Sequence, residues 1–436
     1  MPPTNAVPPD PGPSRAGPVG VAARRAALRL LDAVLRRGQA LEAALDGATA
    51  QLTRADDRAL AHALAGHALR RLGDLDALID SATRNPLPAD AKARSALRIA
   101  LVQALVLGTP PHAAIATVLP LVDGGPRKLV HGVFGTLLRQ GATLPATARL
   151  PDAVATRWQA AWGEAAVAAA GALIASPPPL DLTLADPART AEWTERLGGT
   201  SLTPGHVRLR AGARVIDLPG YGEGGWWVQD FAAAIPARLL AAGGGQDALD
   251  LCAAPGGKTL QLAAAGWRTT AVDQSAPRLT RLASNLTRTG LSAETVTADV
   301  LAWGPGRQFD AVLLDAPCSA TGIYRRHPDV LFRAHPALIA ETTALQAKLL
   351  ARAARWVRPG GRLVYAVCSL EVAEGEAQVD AFLARFPRFA RDPVGADELP
   401  AGVAPDAIGR VRVLPGTLGA AGGCDGFFMA RLRAAT

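Results

Sequence analysis

The sequence predicts a multidomain chain: an all-α helical bundle, then a small α+β segment, then an α/β domain built on a parallel sheet. Three observations carry this reading. Apolar residues recur at helical spacing from about Val21 to Ala175. The break SPPP, Ser176 to Pro179, is followed by residues 180–216, which alternate as short strands do in LDLTLADP and HVRLRAGARVIDL. From about Gly220 apolar strands alternate with helical stretches, the pattern of a sheet covered by helices. The expected divisions are residues 1–20, 21–145, 146–217 and 218–436.

The first stretch, MPPTNAVPPDPGPSRAGP, is proline-rich and lacks the apolar centre of a signal peptide, so a disordered lead-in is expected. In the first helix Leu28, Leu31, Val34 and Leu35 fall on one stripe. Thr53, ahead of Arg54-Ala55-Asp56, reads as a cap for a helix running through Leu72. The apolar run Leu97 to Leu107 suits a buried helix and falls short of the ~18 residues of a membrane span. Pro110 and Pro111 close one helix and open the next, and Pro151 opens a helical bridge.

Charge and cysteine usage narrow the function. The 436 residues carry 46 Lys or Arg against 38 Asp or Glu, a formal charge of +8. Residues 21–140 hold 16 basic and 10 acidic side chains, so most of the excess sits in the helical part. Such a bundle presents either a solvated helix surface or a face for RNA. The four cysteines, Cys252, Cys318, Cys368 and Cys424, form no Cys-x-x-Cys pair, which argues against structural zinc and against a disulfide framework. A reducing cytoplasm and no metal are expected.

The α/β domain carries the chemistry. ALDLCAAPGGKTLQLA, Ala248 to Ala263, is a strand, a turn of small residues and a helix. Its turn, Cys252-Ala253-Ala254-Pro255-Gly256-Gly257, lets a ligand approach the backbone near helix amides. Gly257-Lys258-Thr259 resembles a phosphate-binding loop, but the glycine such a loop needs five positions earlier is Cys252, which removes that reading. The next strand ends at Asp273, 17 residues after Gly256, where doubly wound folds hold ribose hydroxyls; Asp273 also suits a helix cap. AETVTADV places Asp299 at a third strand end, suited to an exocyclic amine. This set fits an adenosyl group and, without a second nucleotide half, S-adenosylmethionine rather than a dinucleotide. A fourth strand, FDAVLLDAPCSATG, delivers Asp315, Pro317 and Cys318 to the same edge, and the fifth, GGRLVYAVCS, delivers Cys368.

These motifs resemble the RNA (cytosine-5) methyltransferases of the RsmB/Sun type. DLCAAPGGKT, DAPCSATG, YRRHPD, the closing DGFF of Asp425 to Phe428 and LPGYGEGGWWVQD of Leu218 to Asp230 carry the resemblance. The amino-terminal part resembles the NusB-type RNA-binding bundle, with PPHAA at Pro110 to Ala114. The resemblance implies a Rossmann-like class I methyltransferase domain that uses S-adenosylmethionine on a cytosine of small-subunit ribosomal RNA. It implies Cys368 as nucleophile, Cys318 as the thiol assisting product release, Asp315 against the target base, and Lys258 near the base or developing charge. Asp315 also falls within the cofactor-binding set of Cys252, Ala253, Ala254, Pro255, Gly256, Gly257, Lys258, Asp273 and Asp299. Arg325, Arg326, His327 and Arg333 follow the fourth strand and are expected to contact RNA phosphates, a solvated cluster being the alternative.

The chain departs from the family in three places. The usual Thr-Cys-Ser is Val367-Cys368-Ser369; the acidic run ending in Asn is Val372-Ala373-Glu374-Gly375; and Leu-Arg-x-Asn is Leu182-Thr183-Leu184-Ala185. Two other functions remain open on sequence: the same reaction on transfer RNA or another RNA, and a non-catalytic RNA-binding or assembly role. The joint presence of Asp273, Asp299, Asp315, Cys318 and Cys368 argues against the second.

Overall fold

The structure, a computed structural model, describes residues 20–436. The expected lead-in therefore lies, apart from Gly20, outside the described residues. The chain divides into two compact units, one ending at Leu144 and one beginning at Pro145.

The first unit is helical throughout: α1 Val21–Leu35, α2 Leu41–Thr49, α3 Ala55–Arg70, α4 Leu72–Ser81, α5 Lys92–Leu105, α6 Pro111–Val118 and α7 Gly124–Arg139. Its centre is α5, whose residues Ala96 to Val102 are buried on every side. The α1 stripe is wider than expected. Leu31 and Val34 are buried, but so are Leu30, Ala23, Ala26 and Ala27, while Leu28 and Leu35 sit at the margin. Alanines let neighbouring helices approach closely, which broadens the buried face. Thr53 makes no cap: the residue before α3 is Arg54, and α3 ends at Arg70 before α4 begins at Leu72. Two of the basic residues counted as surface charge are internal. Arg98, 2% exposed, donates Nε and Nη2 to Asp76 at 2.8 Å each, and Arg94 pairs with Asp76 and Asp80.

The second unit opens with α8 Asp152–Trp162 and α9 Glu164–Ile174. A small antiparallel sheet follows, from β1 Leu180–Leu184, β2 His206–Leu209 and β3 Trp226–Val228 in the order β2-β1-β3, with α10 Thr190–Leu197 between β1 and β2. Asp181 on β1 takes both a bidentate bond from Arg208 and the amide of Phe231, which fastens this sheet to the segment entering the α/β domain.

After α11 Ile235–Arg238 the α/β domain runs β4 Asp247–Leu251, α12 Gly257–Ala264, β5 Arg268–Asp273, α13 Ala276–Thr289, β6 Glu294–Thr297, β7 Phe309–Asp315, α14 Val330–Arg333, α15 Pro336–Ala354, β8 Val357–Val367 and α16 Glu376–Arg385. Three further strands, β9 Phe389–Arg391, β10 Val411–Val413 and β11 Phe427–Ala434, complete it. The sheet order is β10-β11-β8-β7-β4-β5-β6, with β9 beside β11. Strands β8, β7, β4, β5 and β6 are parallel, and β11 runs antiparallel to β8. Both faces of the central strands are apolar, so Leu249, Leu251, Val312 and Leu314 are fully buried. The order reverses at β4, which has β5 on one side and β7 on the other. Ligands of open parallel sheets bind outside the strand carboxyl ends at such a reversal.

Candidate active site

The carboxyl ends of β4, β5, β7 and β8 bring the expected residues to one edge. β4 leaves the sheet through Cys252, whose φ of 59° turns the chain sharply. Gly256 precedes α12 at φ 106°, and a side chain there would collide with Leu282 of α13. The turn is pinned to β5: the Ala253 amide donates to the Val272 carbonyl at 3.1 Å, and the Ala254 amide to Asp273 Oδ2 at 3.1 Å. Asp273 Oδ1 accepts the Ser275 amide at 2.9 Å, so this buried carboxylate fixes the turn and starts α13 at once. Arg278 lies 3.4 Å from it. Asp299 stands two residues beyond β6 and accepts the Leu301 amide at 2.9 Å.

These groups border a cleft. Cys252, Asp273 and Asp299 share it with Ala298, Val300, Pro317, Leu345 and Leu349. Apolar walls with two carboxylates at one side are of the kind that can hold an adenosine, with room for a base against the walls and acceptors for ribose hydroxyls and an exocyclic amine. Cys252 does not suit thiolate chemistry, because burial pushes its thiol well above the usual range.

Lys258 sits in the first turn of α12, where a cation is disfavoured by the helix dipole. Asp315 compensates: Lys258 Nζ donates to Asp315 Oδ2 at 2.7 Å, and the ammonium lies 5.2 Å from the centre of the Phe427 ring. Behind them Asp250, fully buried, accepts from Thr259 Oγ1 at 2.6 Å, and burial lifts its carboxyl to about 7.

β7 and β8 are neighbours, with Asp315 opposite Ala366. Each then enters a turn carrying a half-buried thiol, and Cys318 Sγ stands 3.5 Å from Cys368 Sγ. Hydrogen bonding to Cys368 and burial hold the Cys318 thiol well above its usual range. The Cys368 carbonyl accepts the Gly322 amide at 3.0 Å, and the Gly322 carbonyl accepts Gly426 at 2.9 Å. A side chain on Gly322 would strike the Gly426 carbonyl, which explains why DAPCSATG and DGFF both need glycine. From α8, Trp162 Nε1 donates to the Leu370 carbonyl at 2.8 Å and Trp158 Nε1 to Glu371 at 3.2 Å.

The residues expected at RNA are not one solvated cluster. Arg325 is 1% exposed and lies 3.9 Å from buried Asp230, so its expected phosphate contact is corrected to a buried structural charge. Arg326 donates Nε and Nη2 to Asp425 at 2.8 and 2.5 Å but keeps an exposed edge. Arg333 pairs with Asp329 at 3.4 Å, and His327 is half-buried beside them. The carboxylate partners Asp230 and Asp425 lie about a hundred residues from the arginines, beyond the reach of sequence spacing.

The departure at Gly375 has a structural counterpart. A side chain there would meet Arg412 and, at 2.8 Å, the ring of buried Phe428. Arg412 donates to the Ser369 carbonyl at 2.5 Å and pairs with Glu376, stacking 4.9 Å from both Trp162 and Phe428. Gly375→Asn, restoring the family's residue, is expected to cost about 1–3 kcal/mol by overpacking. Urea unfolding measures it, and removing Arg412 as well should not fully relieve it, because Phe428 cannot move aside.

Two buried acids carry more than the sequence shows: Asp250, inside DLCAAPGGKT, and Glu374, in the run of residues 372–375. Their burial and partners are tertiary facts; for Asp250 the sequence signal is an acid between apolar neighbours, and for Glu374, with Glu371 and Glu376 close by, there is none.

Among the described residues no helix is long and apolar enough to cross a membrane, and no cluster of three or more His, Cys, Asp or Glu could hold a metal ion.

Comparison with known proteins follows this geometry. Residues 237–433 match the family model for 16S rRNA methyltransferase RsmB/F, and residues 21–134 match the NusB family. Ribosomal RNA small subunit methyltransferase B of Xanthomonas campestris pv. campestris is 38% identical over 437 residues, covering 95% of this chain and 97% of that protein. The protein of the same name from Xylella fastidiosa strain Temecula1 is 36% identical over 433 residues, covering 95% and 98%. The crystal structure of PH0851 shares the fold at TM-score 0.70 and 22% identity, covering 94% of this chain and 98% of that one. The chain therefore belongs to the RsmB/F family of 16S rRNA methyltransferases, with a NusB-family domain ahead of its Rossmann-like methyltransferase fold.

Proposed function

We propose that the protein transfers a methyl group from S-adenosylmethionine to C5 of a cytosine in small-subunit ribosomal RNA, through a covalent bond between Cys368 and C6. The observation that carries this is the thiol pair, 3.5 Å apart at adjacent strand ends, on the same sheet edge as the Lys258–Asp315 pair. C5 of cytosine is a weak nucleophile, and a single thiol adding at C6 raises its electron density. Release of the product calls for a second group at the same edge, and Cys318 stands there.

In this reading the Cys368 thiolate adds to C6, and the C5–C6 π electrons shift into the ring. Asp315, held by Lys258, hydrogen-bonds the target base as it becomes electron-rich. S-adenosylmethionine supplies an electrophilic methyl, which C5 takes. A base must then take the C5 proton and pass it to solvent; the C5–C6 double bond reforms and the Cys368 thiolate leaves, with Cys318 assisting release. The cofactor is bordered by Cys252, Ala253, Ala254, Pro255, Gly256 and Gly257, with Asp273 and Asp299 towards the adenosine and Lys258 and Asp315 towards the reacting end. The base must leave its helix to reach this cleft. The NusB-family part, residues 21–145, and the exposed edges of Arg326, His327 and Arg333 hold the RNA; residues 146–217 bridge to the catalytic domain, residues 218–436. The setting is the cytoplasm, where reducing conditions keep both thiols free.

Bisulfite sequencing of ribosomal and transfer RNA from a strain lacking the gene tests the substrate. Loss of one 5-methylcytosine in small-subunit ribosomal RNA is expected. Loss confined to transfer RNA would move the substrate, and no loss anywhere would overturn the reaction.

A further inference from the structure

Glu374 occupies a position that the methyl-transfer reading does not use. It ends a short turn, Val372–Glu374, and is 0% exposed. Its Oε1 accepts the Ser319 amide at 2.8 Å, Thr342 Oγ1 at 2.5 Å and Gln346 Nε2 at 3.1 Å. Its Oε2 accepts Ser319 Oγ and Ser369 Oγ, each at 2.5 Å. Five donors converge on two oxygens, filling every one of the roughly four lone-pair sites of a carboxylate with one donor shared, which leaves no place for a donor on Glu374 itself. All five donors are uncharged.

The placement of two of them matters. Ser319 directly follows Cys318, and Ser369 directly follows Cys368. One buried carboxylate therefore holds both turns that carry the thiols. The same residue is anchored from β8, where the Tyr365 hydroxyl donates to the Glu374 carbonyl at 2.7 Å.

We propose that Glu374 is a positioning residue: it ties together the two turns that carry the thiols, sets their approach, and places a buried carboxylate behind Cys318 that disfavours a second negative charge there. The inference rests on the thiol roles proposed above and extends them to the residue that enforces the division. Hydrogen bonding to Cys368 and burial already hold the Cys318 proton, and the Glu374 charge acts in the same direction. The other charged or titratable groups facing the pair are Tyr365 on β8, Arg412 on β10, Arg326 with Asp425, and Lys258 with Asp315 across the cleft. Of the charged groups among the described residues, Glu374 is the one shown bonded to both thiol-bearing turns.

The test reads the thiols directly, in full-length protein without RNA. Each cysteine is alkylated with iodoacetamide from neutral to alkaline pH and followed by peptide mass spectrometry. Glu374→Gln keeps the shape and removes the charge. Cys318 in that variant should alkylate about 10-fold faster near neutral pH, because removing a nearby like charge lowers a thiol pKa by about one unit or more. The gap between the two cysteines should narrow, and Glu374→Asp should recover part of it. A folded Glu374→Gln protein with unchanged alkylation profiles overturns the proposal. If Glu374→Gln fails to fold, Glu374→Asp, which keeps the charge but draws it back by one methylene, should narrow the gap less but in the same direction; no change overturns the proposal equally. Because no RNA is present, this failure is distinct from failure of the wild-type protein to form an RNA adduct, which would sink the methyl-transfer reading instead.

Discussion

Cys318→Ala is expected to trap the protein covalently on RNA, whereas Cys368→Ala is expected to form no adduct and transfer no methyl group. The two thiols are neighbours in space, so the prediction rests on what distinguishes them. Cys318 is held protonated by its hydrogen bond to Cys368 and by burial, which makes it a poor attacking group. Cys368 follows the central strand β8, and its turn is fixed by Gly322, Trp162 and Arg412. Removing a covalent nucleophile typically costs on the order of 10⁴–10⁶-fold in turnover. The measurements are incorporation of labelled methyl groups and a denaturant-resistant protein–RNA band. Adduct accumulation with Cys368→Ala and its absence with Cys318→Ala would exchange the two roles.

The second large effect is expected at Asp273. Its oxygens hold the amides of Ala254 and Ser275, so Asp273→Ala leaves two backbone donors without their acceptor and frees the turn that borders the cofactor cleft. Hydrogen bonds to a charged group are worth about 1.5–3 kcal/mol each. Affinity for S-adenosylmethionine should fall by about 10- to 100-fold, the equivalent of about 1.4–2.8 kcal/mol. Titration calorimetry reads the affinity, and Asp273→Asn, which keeps one acceptor oxygen, should fall between. Unchanged affinity in Asp273→Ala would remove this carboxylate from the cofactor site.

The candidate site was legible where chemistry coincides with strand ends. In a parallel sheet every strand presents its carboxyl end to one edge, so spacing alone places Asp273, Asp315 and Cys368 at the same edge of the sheet, where the strands end. Helical spacing likewise marked α1, α5 and the bridge α8. Local detail was less faithful. Thr53 looked like a cap but does not serve as one, and the α1 stripe is widened by alanines whose burial depends on how closely other helices pack.

Charges were the least legible feature. Arg325 sits among residues that match an RNA enzyme's motif, yet it is buried against Asp230. Arg94 and Arg98 added to the apparent basic surface of the bundle, yet both are consumed by Asp76 and Asp80. A side chain's formal charge is written in the sequence, but whether that charge is free depends on partners brought near by folding.

The layers of the molecule, the family and the groups at the strand ends are written in the chain, because periodicity and motif spacing are local properties. Which groups act on one another, and the order of the strands, came only with folding. Folding set Cys318 3.5 Å from Cys368, put Arg412 in the space left by Gly375, and gathered Ser319, Thr342, Gln346 and Ser369 around Glu374. The physical reason is range: hydrogen bonds and buried charges act over a few ångströms, and residues fifty positions apart reach that distance only in the folded chain.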